Sequence, residues 1–144
     1  MNTVLPTPAY LPFCRPRAEA RPLWPVAGGP HRQISAKTVE RLCNLAIAAT
    51  ASAFALPVGE LSAPSRRGCY AAFARQCAMY LAHVAFGLNY CEIGRGFGRN
   101  RRTAAHACAV VEDRRDDPAV DRVIASLEDA CGALRRRLDA PVHA

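Results

Sequence analysis

Asn100, Arg101, Arg102 and Thr103 follow Gly98-Arg99 as an unbroken polar and cationic run. Guanidinium groups grip phosphate oxygens and donate to guanine O6 and N7. Asparagine and threonine reach base edges over shorter distances. Asn100 is also a good helix N-cap, so the run falls on the first turn of a helix that carries Ala104, Cys108 and Val111 inward. Just upstream, Asn89 or Tyr90 begins a short helix in which Ile93 and Phe97, four apart, share a face. Gly98 can take the left-handed conformation that ends it. Two short helices joined at a glycine, the second opening with cations, are what a helix-turn-helix requires for entry into the major groove. The same spacing fits an ordinary helical hairpin with a solvated arginine face, and pattern alone leaves both open.

The flanking segments must hold that pair in place. Ala78, Leu81, Ala82 and Ala85 recur at i, i+3, i+4 and i+7, so a buried helical face precedes Phe86-Gly87. Ser35 can cap an earlier helix to about Phe54, with Val39, Leu42, Cys43, Ala46 and Ile47 as its stripe and Thr50 and Phe54 continuing it. Residues 56–61 read as a turn-rich connection, and 62–68 (S-A-P-S-R-R-G) cannot be regular helix throughout. Asp117-Pro118 restarts the chain as a final helix, with aspartate as N-cap and proline at N1. Val120, Ile124, Leu127, Cys131, Leu134 and Leu138 then step by four and three. That seam either packs back on the domain or pairs two copies. It is under three heptads, so packing back and a monomer are favoured. The expected organisation is all-α: a Pro/Arg-rich disordered tail over 1–33 and a helical domain over 34–140, DNA-binding on the helix-turn-helix reading. Within it lie an N-terminal helix (34–55), a basic loop (62–70), a helix-turn-helix core (72–115) and a C-terminal helix (117–138).

Charge is distributed unevenly. The chain carries +7 overall over 144 residues. From Arg66 to Arg102 seven arginines face the single acid Glu92, a net of +6, whereas from Glu112 to Ala130 seven acids face three arginines, a net of −4. A basic centre beside an acidic helix suits a polyanion on one side only. Among the residues there is no G-x-x-x-x-G-K-[ST] phosphate loop. The seven cysteines include no C-x-x-C, and most fall on apolar helical positions, as reduced thiols used as small hydrophobes do. His106-x-Cys108 places two ligand types at i and i+2, where helical side chains diverge, so no metal site is expected. The four histidines are scattered and no nucleophile stands beside a base, so neither an enzyme nor a cofactor or small-molecule substrate is expected. No signal peptide or spanning segment is read, and the expected location is the cytoplasm, on the nucleoid.

Residues 66–117 resemble the C-terminal DNA-binding domain (domain IV) of the bacterial replication initiator DnaA. The resemblance lies in Arg75-Gln76, Ala78-Met79, Leu81-Ala82, Glu92-Ile93-Gly94, Phe97-Gly98-Arg99 and His106-Ala107-Cys108, in the family's order with one residue fewer at the glycine turn. It implies a Trp-repressor-like helix-turn-helix that binds double-stranded DNA without an ATPase. It implies backbone contacts from Arg75 and Gln76 at the start of the first helix, from Tyr90 and Cys91 at the start of the second, and from Arg99 at the turn. It gives base reading to Asn100, Arg101, Arg102 and Thr103, with His106 one turn on, and it places Arg66 and Arg67 in a loop that enters the minor groove. Several positions depart from the family. Asn100 stands for an aspartate and fits adenine better than cytosine; Arg102 stands for a threonine and prefers guanine. The loop is poorer in basic residues, and Ala109 and Val110 stand where the family often has basic residues. The expectation is therefore a DNA-binding regulator of transcription or replication with a shifted target sequence. The alternative is a protein-interaction module that keeps the scaffold and has lost DNA.

Overall fold

The computed structural model describes residues 34–62 and 68–140. The expected disordered tail and the loop arginines Arg66 and Arg67 lie outside these. Six helices follow in order: α1 (Ala36–Phe54), α2 (Val58–Ser62), α3 (Cys69–Val84), α4 (Tyr90–Phe97), α5 (Arg101–Arg114) and α6 (Pro118–Asp139). The fold is all-α, and no strand occurs among the described residues.

Helix α3 lies at the centre, against α1 on one side and α5 on another, with α2, α4 and α6 also touching it. It can do so because its buried positions are small where neighbours come close (Ala71, Ala74, Ala78, Ala82) and large where gaps need filling (Phe73, Met79, Tyr80, Leu81). The expected α1 stripe is buried in full from Val39 to Phe54, and Thr50 among it donates its hydroxyl to the Ala46 carbonyl at 2.8 Å. Ser35 caps α1 through the Thr38 amide. The far end of α1 is tied to α3. The Tyr70 hydroxyl donates to the Phe54 carbonyl at 2.9 Å, and the Phe54 ring meets those of Tyr70 and Phe73.

Two expectations need correction. The turn-rich stretch after α1 contains a single-turn helix, α2, which buries Leu61. The helix before Phe86-Gly87 begins at Cys69, not near Arg75. Arg75 and Gln76 therefore lie in its second turn, because the alanine-rich run 71–74 continues the helical face towards Gly68. The seam on α6 takes the favoured alternative. Val120, Ile124, Leu127 and Cys131 are buried inside the domain, whereas Leu134 is 38% exposed and Leu138 59%. A homodimer through Ile124, Leu127, Cys131, Leu134 and Leu138 would have to pull the first three out of the core that they complete. Packing back on the domain takes the seam.

Candidate nucleic-acid interface

Helix α4 starts on a reciprocal cap. Asn89 Oδ1 accepts from the Glu92 amide, and Glu92 Oε2 accepts from the Asn89 amide, both at 2.9 Å. It ends at Gly98, left-handed at φ 63°. The Arg99 amide closes on the Gly94 carbonyl at 2.7 Å, and the Gly98 amide on Arg95 at 3.3 Å. This double closure folds the chain back over α4. Gly94 permits it, because a β-carbon there would stand 2.8 Å from the Arg99 carbonyl oxygen. Gly96 plays a similar part on the opposite side, where α4 meets Cys43 of α1. Ile93 is fully buried and Tyr90 and Phe97 pack part-buried on the core, so the short helix is anchored by these side chains and two close glycine contacts.

Helix α5 leaves this turn at once. Asn100 caps it, with Oδ1 accepting from the Thr103 amide at 2.8 Å and from the Thr103 hydroxyl at 2.9 Å. Ala104, Ala107, Cys108 and Val111 face the core. Asn100, Arg101, Arg102, Thr103 and His106 are all exposed. The expected base-reading run and the later histidine thus share the open side of one helix start. Arg99 is half-buried on the turn beside them. No carboxylate among the described residues pairs with Arg99, Arg101 or Arg102. The buried thiols of Cys77 and Cys108 serve as core filler, with Cys108 pushed up to about 12 by burial and then by the Glu112 charge.

The other expected contacts are more varied. Cys91 is exposed and Tyr90 half-buried, its ring 4.8 Å from that of His83. Gln76 is half-buried on α3. Arg75 has internal work: Nε donates to the Leu61 carbonyl at 3.0 Å and Nη2 to the Glu60 carbonyl at 2.9 Å. It thereby caps α2 and ties it to α3. Its pKa is lowered, first by burial and then by the nearby Arg99 charge. Two guanidinium groups close enough to repel each other mark a local positive field that an anion would relieve. Of the three arginines at the end of α6, Arg135 donates to the Phe86 carbonyl and pairs with Asp139, while Arg136 and Arg137 are exposed.

One cluster was not legible as functional. At the far end of α5, Tyr80 of α3 is 2% exposed, with its hydroxyl 2.7 Å from Glu112 and 3.0 Å from Glu128. Arg115 donates through Nη1 to that hydroxyl at 2.9 Å and to Glu128 at 2.6 Å, and through Nε to Asp121 at 2.6 Å. The acidic stretch 112–130 is thus partly consumed in a lock between α3, α5 and α6. The separations of 32 and 48 residues that join Tyr80 to its carboxylates leave no local pattern to find.

A glycine turn between two capped helices, the second with a buried apolar face and an open polar start, defines a helix-turn-helix domain. Residues 44–111 match the family model described as the bacterial dnaA protein helix-turn-helix. Residues 44–111 are therefore similar to the DnaA-type helix-turn-helix domain, of a class that binds DNA. The match takes in the second half of α1, which supports treating that helix as part of the domain. Among curated proteins none matches the chain. No helix of the described residues is long and apolar enough to cross a membrane.

Proposed function

We propose that this protein binds double-stranded DNA in a sequence-dependent way, using the docking mode of the initiator's DNA-binding domain, and acts as a regulator of transcription or replication. The observation that carries this is the start of α5: five exposed polar side chains on a helix whose opposite face is locked in the core. In this reading α5 enters the major groove. Asn100, Arg101, Arg102, Thr103 and His106 approach base edges, and Arg99, Tyr90, Cys91 and Gln76 lie along the phosphates. Arg66 and Arg67 would approach the neighbouring minor groove, where negative potential is concentrated. Arg75 has a smaller share in this reading than its position in the family pattern implies. Its guanidinium holds α2, so its charge adds to the field while its donors serve the fold.

The same engagement of Arg75 favours the competing reading, an interaction module on a retained scaffold. Fluorescence anisotropy separates the two, with the purified protein titrated against an initiator-box duplex and a shuffled duplex across a salt series. Binding with a steep salt slope is expected, with the two duplexes distinguished by less than the family's own domain would distinguish them. Arg102→Ala should weaken binding roughly tenfold and relax choice at one base pair while leaving the melting temperature unchanged. Absence of binding to either duplex at low salt would remove the DNA reading.

A further inference from the structure

The cap of α5 decides what Asn100 can say to a base. The Thr103 backbone N–H and hydroxyl both point at one atom of the Asn100 amide, at 2.8 and 2.9 Å. A backbone N–H needs an acceptor, so that atom is the carbonyl oxygen and the amide orientation is fixed by chemistry. Its two lone pairs are then both engaged. What remains is the Nδ2 amino group, which donates to nothing among the described residues and sits on an exposed residue. Asparagine normally reads adenine with both ends of its amide, accepting from N6 and donating to N7. Here the accepting end is spent on the helix. Arg101 and Arg102 follow on the same exposed turn, and a guanidinium has donors only.

We propose that Asn100 is a specificity-determining residue that reads as a donor alone, selecting a base whose major-groove edge offers acceptors and no amino group. Guanine fits best, with O6 and N7 side by side, and thymine through O4 is the only other base with such an edge. Cytosine presents only an amino hydrogen to that donor and is excluded; adenine can accept at N7 but sets its N6 amino group beside it and is disfavoured. The adenine preference expected from the residue type alone is thereby reversed by the local hydrogen bonding. This proposal rests on the DNA-binding reading of α5 and assigns the chemistry of one position within it.

The test is site selection from a randomised duplex library with the full chain, run in parallel on the wild type, Asn100→Asp and Asn100→Ser. All three residues are good N-caps, so the helix start is kept and equal melting curves check it. In the wild type one position should be enriched in guanine, with thymine second. Asn100→Asp keeps one oxygen on the cap and turns the free group into an acceptor. The same position should move to cytosine or adenine, a change in relative preference of roughly ten- to a hundredfold. Asn100→Ser accepts the cap hydrogen bond on a shorter side chain that loses the amino group, and the guanine preference at that position should weaken. The same motif from all three proteins, or a wild-type site with adenine or cytosine where Asn100→Asp alters the choice, overturns the proposal while leaving DNA binding intact. Failure of the wild type to retain any duplex overturns the DNA-binding reading itself, and this assignment with it.

Discussion

The two ends of α5 are built on opposite principles. Its start is self-contained. Asn100 and Thr103, three residues apart, satisfy the cap between themselves, and the neighbouring side chains are left exposed. Its end is held from outside, by a tyrosine of α3 and by Arg115, Asp121 and Glu128 around the start of α6. Fourteen residues make a rod about 21 Å long, so a small tilt at the locked end moves the open end appreciably. The contrast teaches how a small domain presents a recognition surface. Orientation is fixed at the end tied to two other helices, and hydrogen-bonding capacity is left unspent at the end whose side chains are exposed. Mutations at the two ends should therefore fail in different assays.

The largest effect is expected at the locked end. Arg115→Met removes the cation shared by Tyr80, Glu128 and Asp121 and leaves carboxylates around a hydroxyl that can satisfy one of them at a time. Removing one partner from a buried charge pair costs 3–5 kcal/mol. Because Arg115 and Glu128 are 23% and 24% exposed, the lower end of that range, about 3 kcal/mol, is expected from urea unfolding. The base preferences of the remaining folded protein should not change. A loss below about 0.5 kcal/mol, the level of an ordinary surface pair, would mean that α5 is not held there and would break the comparison. Gly94→Ala comes next and acts on the turn that launches the open end. The added methyl meets the Arg99 carbonyl oxygen, which is backbone and cannot step aside cheaply. About 2 kcal/mol of destabilisation is expected, together with a loss of DNA affinity, measured below the melting temperature, that exceeds the unfolded fraction. Unaltered affinity would show that the α4–α5 angle tolerates more than the close contact suggests.

Much of this arrangement was legible because its signals are local. Ser35, Asn89, Asn100 and Asp117 each occupy the cap that their residue type implies, and all four cap hydrogen bonds are present. The apolar steps of α1 and the first half of α6 are buried where their spacing put them. What was not legible depends on chain segments meeting. The α3 start at Cys69 was hidden because the stretch after Gly68 follows directly on a proline- and arginine-containing loop and carries no side-chain N-cap to mark it. Arg75 could be recognised as a cation at a position the DnaA resemblance covers, but nothing nearby in the sequence says that it holds the carbonyls of residues 60 and 61. The Tyr80 cluster joins three helices, and the close approach at Gly94 appears only once the turn is folded over it. The restriction on Asn100 is an intermediate case. The cap was evident from the sequence, yet its consequence for base choice needed the observation that the Thr103 hydroxyl joins the amide on the same oxygen.

The smallest effect near neutral pH is the one that separates the two ends by titration. At the locked end Tyr80 is held well above the usual phenol range, first by burial and then by its hydrogen bond to Glu112. Cys108, on the inner face of α5, is pushed up to about 12 by burial and the Glu112 charge. Both groups are neutral in the fold and ionise more easily in the unfolded chain, near 8.5 for a thiol and 10 for a phenol. Their contribution is therefore complete below those unfolded values and is lost as pH rises through them towards the folded ones. The melting temperature should stay level from pH 7 to about 8.5 and then fall progressively towards pH 11. Cys108→Ala should begin lower, because it leaves a small void, but should fall less steeply over the same range. The proportionate test is a comparison of slopes between wild type and variant in thermal melts at matched ionic strength. Parallel slopes would mean that Cys108 gains water access before it ionises, so that the inner face of α5 opens in alkali ahead of global unfolding and is held less firmly than the Tyr80 lock implies.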